Sequence, residues 1–249
     1  AYYGVQSMRA KENFPMTGRL MHPYMVDSLV IIKKAAAMAN QRAGVLKPEI
    51  ASAIIRACDE ILGGKLRDQF VVDPIQGGAG TSANMNANEV IANRATEILG
   101  GQKGEALVHP NDHVNMAQST NDVFPSAGKL TAIRLTGELL EALDRLIASL
   151  ERKAEEYAHV IKLGRTQLQD AVPMFAGQEF KAHAHALRRC SMRILRSRNE
   201  LFELNLGATA IGTSINATQG YLDCVVDILA DLVGQPLKQA DDLIDATQN

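Results

Sequence analysis

The sequence predicts an all-α protein: a helical N-terminal region followed by the long helices of an elongated bundle. Apolar residues recur three and four positions apart through residues 25–43, which is the stripe of an amphipathic helix. A near-heptad apolar spacing continues for many turns through residues 125–157 and again through 173–206. Strand-like alternation of apolar and polar residues is hard to find. Helices of this length indicate a bundle in which each helix has several neighbours.

Three main helices are predicted in the first half of the chain, with a proline at the start of one and glycines at the ends of two. The helix over residues 25–43 is followed by one that Pro48 opens, because proline is favoured in a first helical turn, and that a pair of glycines ends. A third helix follows the polar turn at residues 77–82 and ends at Gly100. We expect residues 1–108 to form an N-terminal helical domain.

The second half predicts longer elements. The two long segments, 125–157 and 173–206, are followed by a glycine-rich and hydroxyl-rich loop over residues 207–220 and a shorter helix over residues 221–233. We expect residues 109–249 to form the first part of a central long-helix bundle domain, truncated relative to a complete bundle.

Composition favours a protein that handles small molecules in the cytoplasm. The chain has 249 residues, of which 46% are hydrophobic and 22% charged, and its net charge is only −2. So small a charge provides no field for nucleic acid or for a membrane surface. No apolar run approaches the roughly 20 residues of a membrane span. The 3 widely spaced cysteines are typical of free thiols in a reducing compartment.

Three polar turns place hydroxyl and amide side chains beside predicted helix starts. Their candidate binding residues are Thr81 in the first turn, Ser119, Thr120 and Asn121 in the second, and Thr166 and Gln167 in the third. The unpaired N–H groups at a helix N-terminus favour negative charge, and nearby hydroxyls add directed donors. If the turns converge, they form a cradle for a small polyanion, most naturally a dicarboxylate. Simple helix capping is the competing interpretation of any one turn, because Ser, Thr and Asn are the usual N-cap residues.

His109 and His113 are the most suggestive pair for a metal site, but the pattern favours a structured loop. The two histidines are four positions apart, as on one helical face, yet they straddle Pro110. We therefore expect no metal site in this chain.

Four stretches of the chain resemble, in order, blocks of the aspartase and fumarase superfamily. The first resembles its N-terminal entry segment and reads AYYGVQSMRAKENFP. The other three read GGAGTSANMNANEVIANRA, HPNDHVNMAQSTNDVFPSA and KLGRTQLQDAVPMFAGQEF. The resemblance covers essentially the whole chain. Details such as STND and DAVP are more similar to the ammonia-lyase branch of the superfamily than to the fumarases.

The resemblance implies an L-aspartase-like fold and a specific reaction. Members of this branch eliminate ammonia reversibly from L-aspartate to give fumarate, through an aci-carboxylate intermediate and without a cofactor, in a homotetramer whose active sites are built from three subunits. By motif position, the residues of the three polar turns would bind the dicarboxylate substrate. The HPND block, with His109, Asn111 and Asp112, resembles a secondary dicarboxylate-binding site. Gln167 stands where part of the superfamily has histidine, and an amide can orient or donate a hydrogen bond but cannot titrate.

One signature of the superfamily is absent from these residues. The loop of the form GSSxMPxKxNP, which carries the serine proposed as the base, does not occur in the sequence. We therefore expect no catalytic base within this chain, and we expect the chain alone to be inactive. Two alternatives stay open: fumarate hydratase or another lyase of the superfamily, and a helical assembly module without catalytic activity.

Overall fold

The computed structural model describes residues 1–249 and confirms the all-α prediction. The main helices are α1 (Val5–Asn13), α2 (Pro23–Arg42), α3 (Pro48–Leu62), α4 (Thr81–Ile98), α5 (Thr120–Glu156), α6 (Ala176–Glu200), α7 (Gln219–Leu222), α8 (Val225–Val233) and α9 (Asp245–Gln248). A 3₁₀ turn (Arg67–Gln69) and a π-helical turn (Pro110–Val114) lie in the connections. None of the helices combines the length and the apolar character needed to cross a bilayer.

The long helix α5 begins earlier than the sequence predicted, so that Pro125 lies inside it. Proline has no N–H, and the carbonyl of Asn121 therefore lacks the usual partner four residues on. The side-chain amide of Asn205 replaces that partner and donates to the Asn121 carbonyl over 3.0 Å. The helix can thus continue through the proline because a distant side chain satisfies the free carbonyl.

The prediction that a helix begins at Pro173 is wrong. Residues Ile161–Thr166 and Gln169–Phe175 form an antiparallel hairpin, β1 and β2, and α6 begins only at Ala176. Pro173 lies in β2, where a two-stranded ribbon tolerates a residue without an N–H because both strands have a free edge. Most residues of the two strands are exposed, so no buried face imposes an alternation of apolar and polar residues that would distinguish them from a helix.

The predicted helix over residues 221–233 is interrupted. Its residues are divided between α7 and α8, and Cys224 between them has a non-helical backbone (φ −140°, ψ −12°). Two further residue pairs, Glu203–Leu204 (β3) and Lys238–Gln239 (β4), form a short parallel bridge. This bridge ties the segment after α6 to the segment after α8.

The chain is divided into two compact units. Unit 1 comprises residues 1–131 and 202–249, and unit 2 comprises residues 132–201. The domain boundary expected between residues 108 and 109 stays a prediction.

Unit 1 is built around α2, which packs against α3, α4 and α8. Leu29, Ile32 and Ala36 on α2 are completely buried, and the alanines of this helix allow close approach of its neighbours. The N-terminal helix α1 is held by one carboxylate, because Glu89 of α4 accepts hydrogen bonds from the backbone N–H groups of Gly4, Gln6 and Ser7 and from the Ser7 hydroxyl. A negative side chain at this helix start satisfies donors that the helix itself leaves unpaired.

Unit 2 contains the later part of α5, the hairpin and α6. Gly177 allows the start of α6 to approach α5 closely, since a Cβ at that position would lie 2.3 Å from the carbonyl oxygen of Ala154. Several large apolar side chains of this unit are exposed: Leu139, Leu146, Ile161, Val172 and Met192. Exposed apolar surface of this extent is typical of an interaction surface.

The hairpin turn gives a first testable prediction. Gln167 and Leu168 both have left-handed backbones, with φ of 49° and 65°, although neither is glycine. A two-residue loop with two positive φ values favours glycine at the second position, and Leu168 is 90% exposed. We expect Leu168→Gly to raise the free energy of unfolding by about 0.5–1 kcal/mol, measured by urea titration.

The matched control for this change is Leu163→Gly. Leu163 lies in β1 and is half exposed, but its φ is not positive, so glycine there should destabilise the hairpin. Equal destabilisation by both substitutions would contradict the proposed strain at Leu168.

Candidate functional site

The second polar turn lines an open pocket of unit 1. The pocket has a volume of about 390 Å³, and its walls are Asn115, Ala117, Gln118, Ser119, Thr120, Thr209, Ala210, Ile215 and Asn216. Residues 115–120 come from the segment that leads into α5, and residues 209–216 come from the loop before α7. The structure thus places the turn predicted from the sequence opposite the loop predicted at 207–220.

The hydroxyl oxygens of Ser119 and Thr120 each accept a hydrogen bond within the chain, which leaves their hydrogens free to donate. Ser119 Oγ accepts from the backbone N–H of Asn121 over 3.2 Å, and Thr120 Oγ1 accepts from the side-chain amide of Asn84 over 3.1 Å. Neither hydroxyl donates to another group of the chain, so each hydrogen is available to a ligand in the pocket. Two neutral donors oriented in this way suit a carboxylate better than a cation.

Asn121 binds the opposite wall of the pocket rather than lining it. Its side-chain amide donates to the carbonyl of Ala210 over 2.8 Å. The adjoining helix start is therefore fixed to the loop that faces it. The predicted contact of Asn121 with substrate stays a prediction.

Thr81, from the first polar turn, is the first residue of α4, and its hydroxyl makes no hydrogen bond within the chain. The start of α4 lies against the start of α5 through two contacts. Asn84 donates to Thr120, and the Phe124 ring packs on Gly80, where an added Cβ would lie only 2.2 Å from Cγ of the ring. The structure therefore brings the first and second polar turns to neighbouring helix starts.

The third polar turn is placed differently from the prediction. Thr166 is the last residue of β1 and Gln167 lies in the hairpin loop, so neither precedes a helix directly. Both belong to unit 2, whereas the other candidate residues belong to unit 1. Convergence of this turn with the first two stays a prediction.

A buried carboxylate fixes the pocket from behind. Asp122 accepts from the backbone N–H groups of Ser119 (2.9 Å), Gly207 (3.1 Å) and Thr209 (3.0 Å). Burial raises the pKa of Asp122 from its ordinary 3.8 to about 6, against these hydrogen bonds and the positive charge of Lys33. The carboxylate thereby joins both walls of the pocket without itself lining it.

A buried lysine supports the same pocket and was not among the residues predicted from the sequence. Lys33 of α2 is completely buried, and its Nζ donates to Asn115 Oδ1 (2.7 Å) and to Gln118 Oε1 (3.0 Å). Burial lowers its pKa from 10.5 to about 7, although the charge of Asp122 opposes this shift. Its position could have been noticed, because a lysine four residues after Leu29 falls on the apolar stripe of α2.

The asparagines of the stretch GGAGTSANMNANE turn out to be structural. Asn84 and Asn88 both donate to Asn115 Oδ1, at 3.1 and 3.2 Å. Asn86 binds the backbone on either side of Phe70, accepting from the Val71 N–H and donating to the Gln69 carbonyl. All three asparagines are buried. They therefore hold neighbouring segments in position and do not line the pocket.

The HPND block forms a closed network in the π-helical turn. His109 Nδ1 accepts from the backbone N–H of Asp112 over 3.1 Å, and His113 Nδ1 accepts from the backbone N–H of His109 over 2.9 Å. Burial lowers the pKa of His113, which favours its neutral form. No group of three or more His, Cys, Asp or Glu side chains is arranged to hold a metal ion. The role of His109, Asn111 and Asp112 in ligand binding stays a prediction.

The buried lysine gives a pH prediction for stability. A group whose pKa is lower in the folded state binds fewer protons there than in the unfolded chain, so the free energy of unfolding rises with pH between the two pKa values. For Lys33 the window is about pH 7 to 10.5. Between pH 7 and 9 we expect a rise of about 2 kcal/mol from this residue, measured by urea titration.

The interval from pH 7 to 9 separates Lys33 from its titrating neighbours. Asp122 is ionised above its pKa of about 6, and the buried thiols of Cys58 and Cys224, whose pKa values are raised from 9.0, oppose the rise only towards pH 9 and do so equally in wild type and variants. Lys33→Met should remove the rise, whereas Lys34→Met, one position along the same helix and partly exposed, should retain it. An unchanged slope in Lys33→Met would contradict the assignment.

Comparison with known proteins confirms the resemblance drawn from the motifs. A protein-family model described as lyase matches residues 1–249. The aspartate ammonia-lyase of Bacillus sp is 53% identical over 250 residues, which span 100% of this chain and 53% of the relative. The aspartate ammonia-lyase of Escherichia coli strain K12 is 48% identical over 253 residues, with the same coverage of 100% and 53%.

Solved structures show the same relationship. A fumarate lyase:delta crystallin from Brucella melitensis matches with a TM-score of 0.96 at 49% identity, covering 99% of this chain and 54% of that one. A class II fumarase from Schistosoma mansoni matches with a TM-score of 0.93 at 35% identity, covering 98% and 55%. The chain therefore spans about half the length of the relatives it matches.

Proposed function

Because this chain belongs to the lyase family, we propose that it is part of an aspartate ammonia-lyase, which eliminates ammonia from L-aspartate and releases fumarate. The similarity to curated aspartate ammonia-lyases along the whole chain supports this proposal. One structural observation carries it: the hydroxyls of Ser119 and Thr120 line one pocket and are both held as donors. Such a pair suits the carboxylate groups of the substrate.

The chemistry of the reaction explains why neutral donors are needed. Removing a proton from the carbon beside a carboxylate leaves an aci-carboxylate with two negative charges. A neighbouring acid would protonate this intermediate, whereas preorganised hydroxyl and amide donors stabilise it in place. Each well-placed donor of this kind lowers the barrier by roughly 3 kcal/mol. No carboxylate lines the pocket, and Asp122 behind it is bound to backbone N–H groups.

The proposed roles of this chain's residues are binding and orientation. Thr81, Ser119, Thr120, Asn121, Thr166 and Gln167 form the proposed substrate-binding set. The Gln167 side chain can donate a hydrogen bond but cannot carry a proton through the reaction. The base is expected outside this chain, in the serine loop that these residues lack. The reaction requires no cofactor in this proposal.

A secondary dicarboxylate site at the HPND block is part of the proposal. His113 Nδ1 accepts the backbone N–H of His109, so in the neutral form that burial favours by lowering its pKa, His113 Nε2 carries the hydrogen. This N–H donor, together with the exposed side-chain amide of Asn111 in the same turn, would suit a carboxylate group.

Assembly into a homotetramer in the cytoplasm is also proposed. The exposed apolar side chains of unit 2, which include Leu139 and Leu146 seven positions apart on α5, support an interface between helices. The 3 free cysteines are compatible with a reducing compartment.

Fumarate hydratase is the second candidate, because the chain also matches a class II fumarase structure. The two activities differ in the leaving group. The test uses the complete protein that contains this chain and follows the ultraviolet absorbance of fumarate with L-aspartate and, separately, with L-malate. A rise with aspartate alone supports the ammonia-lyase, and a rise with malate alone supports the hydratase. Absence of turnover with both would leave the helical assembly module.

A further inference from the structure

The segment that forms one wall of the pocket, residues 115–118, has a strained backbone. Ala117 has a φ of 60°, a left-handed conformation that costs a residue with a Cβ free energy. A conformation of this kind persists only where surrounding contacts determine it. Ser119 and Thr120 follow this segment directly. Whatever holds residues 115–118 therefore also sets the position of both hydroxyls.

Lys33 makes hydrogen bonds to both sides of the strained residue. Its ammonium donates to Asn115, two residues before Ala117, and to Gln118, the residue after it. Hydrogen bonds from a charged donor are stronger than neutral ones, particularly away from water. The side chain is completely buried, and both of its hydrogen-bond acceptors are neutral amide oxygens. Burying an ammonium against neutral acceptors disfavours folding relative to an apolar side chain. A role for Lys33 is therefore to be sought in the position of residues 115–118 and not in overall stability.

A second route connects the lysine to the pocket. Asn115 Oδ1, the acceptor of Lys33, also accepts from Asn84. The same Asn84 amide donates to Thr120 Oγ1 and so fixes the direction in which this hydroxyl can donate. Loss of the Lys33 donor would remove the contacts of α2 with the Asn115 and Gln118 side chains and leave the hydrogen bond from Asn40 to the Met116 carbonyl (3.1 Å). The position of Asn84 and Thr120 would become less restricted.

We propose that Lys33 is a positioning residue for the proposed lyase reaction: its buried side-chain nitrogen fixes residues 115–118 by donating to Asn115 and Gln118 and so orients the donor hydroxyls of Ser119 and Thr120. This inference rests on the proposed function for its catalytic consequence. Its structural consequence, a rigid segment beneath the pocket, can be measured without turnover. Lys33 itself does not line the pocket.

The experiment compares Lys33→Met with Lys34→Met in the complete protein that contains this chain. Lys34 is the next residue of α2, but it is partly exposed and pairs with Asp59. Two quantities are measured: amide hydrogen exchange across residues 115–121, and kcat and KM per folded active site. For Lys33→Met we expect faster exchange confined to this segment and a fall in kcat of about 10- to 100-fold, the size of effect that a small misplacement produces. Lys34→Met should change neither.

The outcomes separate positioning from a merely structural role. Lower yield or stability of Lys33→Met, with unchanged kcat per folded site, would overturn the proposal, and so would unchanged exchange over residues 115–121. If Lys33→Met does not fold, Lys33→Gln takes its place: the shorter side chain keeps a polar group at this position but cannot reach both acceptors, and exchange over residues 115–121 must then increase. Failure of the wild type to turn over aspartate or malate would reject the proposed function, while the exchange comparison would still decide the role of Lys33.

Discussion

Gly80→Ala is expected to destabilise unit 1 by about 4 kcal/mol, a large effect for a single methyl group. Gly80 has a φ of 81°, in the region that L-residues disfavour, so alanine is strained there by about 1–2 kcal/mol before any clash. The new Cβ would lie 2.2 Å from Phe124 Cγ. Because Cγ is the ring atom nearest the backbone, rotation of the ring cannot remove this overlap. Overpacking of this kind adds about 1–3 kcal/mol.

The measurement is a urea titration of Gly80→Ala beside two further variants. Gly78→Ala is the matched control, because Gly78 has a similar φ of 90° but no atom within 4 Å of the added Cβ. Gly78→Ala should lower the free energy of unfolding only by the backbone strain, about 1–2 kcal/mol. Phe124→Ala in the Gly80→Ala background should recover part of the loss relative to Phe124→Ala alone. Equal effects of Gly78→Ala and Gly80→Ala would contradict the role of the ring.

This contact bears on the proposed site as well as on stability. Gly80 and Phe124 lie at the starts of α4 and α5, next to Thr81 and the Ser119–Asn121 turn. The ring resting on a glycine fixes the distance between these helix starts. A residual folded population of Gly80→Ala should therefore also have lowered activity.

The helices were predictable where local signals agree. Pro48 begins α3, and apolar stripes several turns long define α2 and α5. The hairpin was not predictable in the same way. Its two strands have 6 and 7 residues, include a proline, and are joined by Gln167 and Leu168 rather than by the usual Asn-Gly. Proline occurs both in the first turn of a helix and in an edge strand, so Pro173 alone does not distinguish the two.

The pocket was predictable in its hydroxyls but not in its support. Ser119 and Thr120 could be identified because hydroxyls before a helix form a local pattern. The groups that orient them come from far along the chain: Lys33 lies 82 residues before Asn115 and Asn84 lies 36 before Thr120. Local sequence patterns do not show which residues so far apart in the chain come into contact. The sequence does place Lys33 on the apolar stripe of α2, which indicates a buried lysine but not the groups to which it donates.

The second large effect is expected at the pocket itself. Thr120→Val should lower kcat for aspartate by about 10²–10³-fold if the complete protein is the proposed ammonia-lyase, because it removes one aimed donor while keeping the shape of the side chain. Steady-state kinetics on the complete protein measure this change. Thr136→Val is the matched control, since Thr136 lies on the same helix but outside the pocket, and it should retain activity.

Valine at position 120 has a second consequence that must be separated from the first. It leaves the side-chain amide of Asn84 with only Asn115 as acceptor, so part of any loss could come from a displaced start of α4. Thr120→Ser distinguishes the two causes, because serine keeps the hydroxyl that accepts from Asn84 and donates to the ligand. If donation is the function of this hydroxyl, Thr120→Ser should retain most of the wild-type kcat. An equal fall in kcat in Thr120→Ser and Thr120→Val would indicate that the methyl group, and not the donor, is what the pocket requires.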